Sequence, residues 1–245
     1  MDKFYDVENY VEIYSDTNTD FAIKRKECLV GYIKKNDIKV ANVLDIACGT
    51  GVFLNLLQSD INITRCVGLD FSEKMIEYAK KKYKNNHIEY VNGDMTDFNL
   101  NERFDLITCN YDAINHLQSL DDWIKMFKNT YKHLNNNGIF IFDFNTTFKQ
   151  KNFNGTSYKS FENYNSVSEV NNKDGKMNFK KIIYNKMQNG LYKMFIVELS
   201  ETTFPVNIIK KALKQIGFKK IKFCNANFEK CNIKKSKRLF VICKK

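Results

Sequence analysis

The segment VLDIACGTG at residues 43–51 is the feature that most constrains the fold of this chain. An apolar run ends in Asp45, and a turn of small residues with Gly49 and Gly51 leads into an amphipathic stretch. This pattern predicts a buried strand, a tight loop and a helix N-terminus, where backbone N–H groups point outward and glycine lets a ligand approach the main chain. A dinucleotide-binding loop would need a third glycine where this chain has Leu54, so that class of site is disfavoured.

Strand-like and helical patterns alternate through the first 145 residues. We predict strands over residues 39–48, 64–71, 87–93, 104–110 and 138–144, and helices over residues 52–58, 72–83 and 121–134. Ser72 and Asp121 are the predicted N-caps of the second and third of these helices. Such alternation implies parallel βαβ units in a doubly wound sheet, which is an α/β fold.

The pattern changes after residue 145. Three strand-like runs, over residues 161–170, 177–186 and 191–200, are separated by Asp-Gly and Asn-Gly turns typical of antiparallel hairpins. Pro205 then begins a helix to residue 216, and strands follow over residues 218–225 and 238–243. We predict one domain from residues 1–145 and 205–245, with an N-terminal helical cap, and an inserted antiparallel β flap from residues 146–204.

Polar residues follow several predicted strands at the carboxyl edge of the sheet, which is where open α/β sheets bind ligands. A carboxylate at Asp70 can accept both hydrogen bonds of a ribose diol, Asp94 can accept one from an adenine amino group, and Met95 can pack against the ring. Either carboxylate alone could be a cap or a turn residue, but the combination predicts a nucleoside ligand. The predicted cofactor-binding residues are Asp45, Ala47, Gly49, Gly51, Asp70, Phe71, Met75, Asp94, Met95 and Asn110.

These residues resemble motif I, the post-I position and motif II of class I S-adenosylmethionine (SAM)-dependent methyltransferases. The run TCNYDAINHL at residues 108–117 resembles an element of a subgroup that includes amino-sugar N-methyltransferases, although Ala113 stands where that subgroup often has serine. The resemblance implies a Rossmann-like seven-stranded sheet of order 3-2-1-4-5-7-6 with the last strand antiparallel. It also implies SAM as cofactor and S-adenosylhomocysteine as product, with the N-terminal helix and the flap closing over the substrate.

The implied activity is methyl transfer to N or O of a small-molecule acceptor, and His116 and Tyr14 are the predicted catalytic residues. The protein mainly aligns the nucleophile and excludes water. His116 could accept a proton or only position the substrate, since N-methylation needs no more than a neutral amine. Tyr14 could close the site or be an ordinary packing aromatic. The N-P-P-[YF] motif of base-methylating enzymes is absent after the fourth strand, which disfavours a flipped nucleobase.

Composition leaves two alternatives open. The net charge of +11 suggests an RNA or protein methyltransferase, but basic clusters are scattered and the chain has a general Lys and Asn bias, so a nucleic-acid partner is not favoured. A non-catalytic SAM-binding scaffold is the other alternative. The seven cysteines are odd in number and form no C-x-x-C pair, so we expect a structural role for them and no metal.

The sequence predicts neither a membrane span nor a signal peptide. We therefore expect a cytoplasmic protein without a membrane partner. An exposed flap edge could pair two subunits, so both a monomer and a homodimer remain open.

Overall fold

A computed structural model describes residues 10–84, 88–173 and 175–245 of the chain. Its elements, in chain order, are α1 (Tyr10–Lys35), β1 (Asn42–Ile46), α2 (Val52–Gln58), β2 (Arg65–Asp70), α3 (Glu73–Lys82), β3 (Ile88–Asn92), β4 (Phe104–Cys109), a 3₁₀ helix (Ala113–His116), α4 (Leu120–His133), β5 (Leu134–Asn145), α5 (Thr147–Asn152), β6 (Gly155–Ser160), β7 (Tyr164–Lys173), β8 (Lys176–Lys186), β9 (Tyr192–Glu201), α6 (Val206–Ile216), β10 (Lys219–Cys224) and β11 (Arg238–Lys244).

Seven strands form the central sheet, in the order β10-β11-β5-β4-β1-β2-β3. The pairs β1–β2, β1–β4, β2–β3 and β4–β5 are parallel, whereas β11 runs antiparallel to both β5 and β10. Counted along this sheet alone, the order is 3-2-1-4-5-7-6 with strand 7 antiparallel. The predicted fold class is therefore confirmed.

Two hydrophobic clusters cover the two faces of this sheet. One contains apolar residues of α4 and α6, and Trp123 stands edge-on to Phe127, Phe144 and Phe204 within it. The other contains apolar residues of α1, α2 and α3. Burial on both faces explains why these strands read as near-continuous apolar runs in the sequence.

The element boundaries differ from the predictions at α4 and β5. The N-cap of α4 is Ser119 rather than Asp121, because the Ser119 hydroxyl accepts a hydrogen bond from the Asp122 N–H at 3.1 Å. Asp121 instead lies in the first turn, where a carboxylate favours the helix dipole. β5 begins at Leu134, directly after α4, four residues earlier than predicted.

A second sheet of four antiparallel strands, β6-β7-β8-β9, lies in the insertion between α5 and α6. We refer to it as the flap sheet. The three predicted strands are present, and β6 is an additional strand. Four apolar residues of the flap sheet form a cluster with Met75 of α3. They are Tyr164, Ile183, Phe195 and Val197. The flap sheet therefore packs beside the carboxyl edge of the central sheet.

No helix within the described ranges is both long enough and apolar enough to cross a membrane. The seven cysteines are free thiols. In the part of the chain that the structure describes, His, Cys, Asp and Glu side chains form no group of three suited to a metal ion.

Candidate functional site

The loop after β1 exposes its main chain because three of its residues have left-handed backbone conformations. The φ angles are 58° at Ala47, 54° at Gly49 and 76° at Gly51. A Cβ atom at Gly51 would lie 2.5 Å from the Tyr90 hydroxyl oxygen, so this position has room only for glycine. The Gly51 residue is the N-cap of α2, which places a helix N-terminus next to the loop.

Asp70, at the end of β2, fixes this loop through its carboxylate. Its Oδ2 accepts a hydrogen bond from the Gly49 N–H at 2.7 Å, and its Oδ1 accepts one from the Ser72 N–H at 2.9 Å. Burial raises the pKa of Asp70, and the two backbone hydrogen bonds act in the opposite direction. Each carboxylate oxygen retains further acceptor capacity, so Asp70 can bind a hydroxyl-bearing ligand while it holds the loop.

A cavity of about 310 Å³ lies between the loop and the flap sheet. This volume is at the lower end of the range typical of small-molecule sites. The residues that line it are Ala47, Gly49, Leu69, Asp70, Phe71, Met75, Gly93, Met95, Asn110, Tyr111, Ala113, His116, Gln118, Glu198, Leu199 and Ser200.

Most of the predicted cofactor-binding residues meet at this cavity. Those that line it are Ala47, Gly49, Asp70, Phe71, Met75, Met95 and Asn110. Asp45, Gly51 and Asp94 are not among the lining residues. The ligand contacts of all ten stay predictions.

Asp45 lies buried behind the cavity wall. Its Oδ1 accepts hydrogen bonds from the Thr108 hydroxyl at 2.6 Å and from the Asn110 side-chain amide at 3.3 Å. Burial raises the pKa of Asp45 to about 7, although the two hydrogen bonds lower it. Asp45 therefore orients Asn110 through this hydrogen bond, and Asn110 lines the cavity.

Asp94 is exposed and engaged in a local turn. Its Oδ1 accepts hydrogen bonds from the Thr96 N–H at 2.7 Å and from the Thr96 hydroxyl at 2.8 Å. Its neighbours Gly93 and Met95, in contrast, face the cavity. In the structure Asp94 is thus a turn residue, which was the alternative to a ligand contact.

His116 enters the cavity from a 3₁₀ helix that follows an abrupt turn. Tyr111 and Asp112 have φ angles of 63° and 50°, and this strained conformation directs the chain from β4 into the 3₁₀ helix. Burial lowers the pKa of His116, and the charge of Asp112 partly offsets this effect. This lowered pKa favours the neutral imidazole, which is able to accept a proton or a hydrogen bond.

The flap strand β9 contributes Glu198, Leu199 and Ser200 to the lining of the cavity, next to His116. The Gln118 side-chain amide donates to the carbonyls of His116 and Ser200, both at 2.8 Å, and so joins the 3₁₀ helix to β9. Sequence reasoning did not identify these wall residues, because they carry no motif and their position depends on how the flap sheet packs.

Asn115 strengthens the same connection from a fully buried position. Its side-chain amide donates to the carbonyls of Thr202 at 2.9 Å and Asn145 at 3.2 Å, and its Oδ1 accepts from the Asn145 N–H at 2.8 Å. The Thr202 N–H in turn donates to the Asn115 carbonyl at 2.8 Å. The segment that carries His116 is therefore held by both β5 and the end of the flap sheet.

A charged cluster lies next to this segment, and the sequence did not predict it. Arg238 pairs with Asp112 at 2.5 Å and with Asp143 at 3.0 Å. The Asn145 side-chain amide donates to Asp112 and, at 2.6 Å, to Glu201 at the end of β9. Burial raises the pKa of Asp143 to about 6 and that of Glu201 to about 8. The cluster joins the β4 loop, β5, β11 and the flap sheet.

Tyr14 belongs to α1, but its side chain lies outside the described residues, so its predicted role stays a prediction. The same helix reaches the site through Phe21, whose ring centroid is 4.2 Å from that of Tyr111. Since Tyr111 lines the cavity, α1 supports one of its walls.

Residues 43–138 match the family described as "Methyltransferase domain". Over 134 residues the chain is 29% identical to a dTDP-4-amino-2,3,4,6-tetradeoxy-D-glucose N,N-dimethyltransferase of Saccharopolyspora spinosa, a match that covers 55% of this chain and 52% of that protein. Over 89 residues it is 34% identical to a dTDP-3-amino-3,6-dideoxy-alpha-D-glucopyranose N,N-dimethyltransferase of Streptomyces fradiae, covering 36% of this chain and 33% of that protein. The chain thus spans about half the length, or less, of these curated relatives.

The fold is similar to that of a solved S-adenosylmethionine-dependent methyltransferase from Clostridium acetobutylicum. The TM-score is 0.85 at 23% sequence identity, and the superposition covers 97% of this chain and 99% of that structure. At this identity the similarity establishes the fold alone.

Proposed function

We propose that this chain, whose residues 43–138 match a methyltransferase domain, transfers the methyl group of SAM to N or O of a small-molecule acceptor. The observation that carries the proposal is one cavity with two kinds of wall. The glycine loop and the Asp70 carboxylate form the first, and His116 and the flap strand β9 form the second.

The first wall fits the chemistry of SAM. Asp70 presents a carboxylate with spare acceptor capacity to a ribose diol, and Gly49 leaves main-chain groups open. Leu69, Met75 and Met95 supply apolar surface suited to a purine ring. When bound, SAM supplies an electrophilic methyl group on a sulfonium.

The second wall fits a small acceptor. His116, whose pKa is lowered by burial, can accept a hydrogen bond or a proton from an amine or hydroxyl group, while Leu199 and the rest of β9 exclude water. Holding the acceptor in line with the methyl group can itself supply roughly 7–11 kcal/mol of the barrier reduction. In this proposal Tyr14 and α1 close the site from the N-terminal side.

Charge around the cavity supports a small acceptor over RNA. Among the described residues that line it, none is Lys or Arg, although the chain carries a net charge of +11. An RNA substrate carries a phosphate at every nucleotide and would need cations beside the reacting group, whereas a nucleotide-linked sugar has its phosphates at one end, away from the sugar amine. The names of the two aligned relatives support a nucleotide-linked amino sugar as the acceptor class.

The test is to incubate the protein with methyl-labelled SAM and either dTDP-3-amino-3,6-dideoxyglucose or a bacterial extract. The products are then separated by size before and after RNase and protease treatment. Label in the small-molecule fraction is the expected result. Label in a nuclease- or protease-sensitive polymer would instead assign an RNA or protein methyltransferase.

The non-catalytic scaffold makes a different prediction in the same experiment. It requires that SAM bind, as measured by calorimetry, while no fraction acquires label. The variant Gly49→Val serves as the control, because a side chain in the loop should abolish SAM binding and label transfer together.

A further inference from the structure

The cavity is acidic on its flap side. Its lining contains two carboxylates, Asp70 and Glu198. Both oxygens of Asp70 already accept backbone N–H groups, whereas the Glu198 side chain is 68% exposed and projects from the flap strand β9. Glu198 is thus the carboxylate that lies on the acceptor side, in the same wall as His116.

The only cation paired with Glu198 among the described residues is Lys180, and this pairing is weak. The Lys180 Nζ lies 3.8 Å from the Glu198 carboxylate, beyond hydrogen-bonding distance. In the register of the flap sheet, Lys180 lies opposite both Glu198 on β9 and Glu169 on β7. Glu169, Lys180 and Glu198 thus form one row across the flap sheet, and this row has a net negative charge.

We propose that Glu198 is a specificity-determining residue that attracts and orients the ammonium form of an amine acceptor. This inference rests on the proposed function and narrows it to nitrogen acceptors. A hydroxyl acceptor has no charge for Glu198 to bind, so the carboxylate distinguishes an amine from an alcohol of the same shape.

Methyl transfer to an amine requires the neutral form of that amine. The ammonium group held by Glu198 first releases one proton, to His116 or to solvent, and so regains its lone pair. The N–C bond then forms as the S–C bond of SAM breaks, and the sulfur leaves as a neutral thioether. Glu198 acts before this step, by raising the local concentration of the cationic acceptor and setting its orientation.

A pair of cofactor analogues tests the inference without knowledge of the acceptor. Sinefungin has an amine-bearing carbon where SAM has its methylated sulfur, so its ammonium group takes the position of the transferred methyl group. S-adenosylhomocysteine has an uncharged thioether sulfur in place of that carbon and is otherwise the same. The ratio of their dissociation constants, measured by calorimetry at low ionic strength, therefore reports the attraction of the acceptor side for an ammonium group.

We expect Glu198→Gln to reduce the preference for sinefungin by about twofold to fivefold, as for a partly exposed ion pair. Glu198→Asp should retain most of the preference. The matched control is Glu169→Gln, which removes the same charge from the same row of the flap sheet outside the cavity lining, and it should leave the ratio unchanged.

Two outcomes would overturn the inference, and they differ in whether the proposed function survives. An unchanged ratio in Glu198→Gln, with S-adenosylhomocysteine still bound, would refute the role of Glu198 and leave the proposed function intact. Failure of the unaltered protein to bind either analogue would refute the proposed function, and this inference with it.

Discussion

At the scale of single residues, Asp70 combines a structural role with the ligand-binding role that we propose for the same carboxylate. Its oxygens already accept hydrogen bonds from Gly49 and Ser72. In Asp70→Asn, the amide NH₂ would face one of these N–H donors, and a charged acceptor for the ribose would be lost. We expect SAM binding to weaken by roughly 1.5–3 kcal/mol, which calorimetry can measure.

The control for this substitution is Asp94→Asn. Asp94 is exposed and outside the cavity lining, so we expect it to change SAM affinity less than Asp70→Asn does. Equal losses in the two variants would restore Asp94 to a direct ligand contact and would contradict our ranking.

The Tyr90 side chain packs against the glycine loop at Gly51. Its oxygen is buried and has no partner among the described residues. Because a buried unsatisfied hydroxyl is unfavourable, we expect Tyr90→Phe to raise the free energy of unfolding by about 1 kcal/mol. Chemical denaturation measures this change, with Tyr192→Phe on the exposed side of β9 as the control. A loss of stability in Tyr90→Phe would mean that the hydroxyl is satisfied.

His116 has two candidate roles that differ in magnitude and in pH dependence. A general base contributes about 10²–10⁴-fold, whereas a positioning group contributes less. Since the acceptor is expected to be an amine, we predict that His116→Gln lowers kcat by less than about tenfold and leaves the acidic limb of the pH–rate profile in place. A loss of a hundredfold or more, together with disappearance of that limb, would establish His116 as the base.

At the scale of secondary-structure elements, the end of β9 is held by a buried acid. The pKa of Glu201 rises from an ordinary value of 4.5 to about 8 through burial. Between these values the folded state binds more protons than the unfolded state, so this group makes the free energy of unfolding fall as pH rises. The stabilising contribution is complete below about pH 4.5 and lost above about pH 8.

Glu201→Gln should therefore reduce the pH dependence of stability. The glutamine retains an acceptor for the Asn145 amide and does not titrate. We expect its Tm to fall less than that of the unaltered protein between about pH 5 and pH 8.5. The exposed Glu162→Gln serves as the control and should behave like the unaltered protein. Parallel Tm curves for Glu201→Gln and the unaltered protein would contradict the assignment.

The elements also explain which parts of the fold the sequence could predict. α2 was predicted with the observed bounds, because a glycine turn marks its beginning and apolar periodicity marks its face. β6 was missed because all six of its residues are exposed, so it has no apolar pattern and depends on pairing with β7. Glu198 and Glu201 could not be assigned, since their roles follow from tertiary packing of β9 rather than from local sequence.

At the scale of the whole molecule, the charge distribution bears on two functions that the sequence left open, methyl transfer to a small molecule and methyl transfer to RNA. The basic residues behind the net charge of +11 are scattered along the sequence. The described lining of the cavity, in contrast, contains Asp70 and Glu198 and no basic side chain. The basic side chains therefore lie outside the lining of the cavity in which we propose that the acceptor binds. Counterion release makes phosphate-rich substrates strongly dependent on salt, whereas a small acceptor held by one carboxylate is affected only by modest screening.

This contrast gives a prediction for the intact protein. When the salt concentration rises from about 50 to about 200 mM, label transfer to the small-molecule fraction should change by only a few fold, whereas an RNA substrate contacted at 6–10 phosphates would lose about 10³–10⁵ in affinity. Added RNA should likewise compete poorly, because surface lysines can bind it without occupying the cavity. A steep salt dependence, together with inhibition by RNA, would mean that the basic surface takes part in substrate binding and that the acceptor is a polymer with many phosphates, such as RNA.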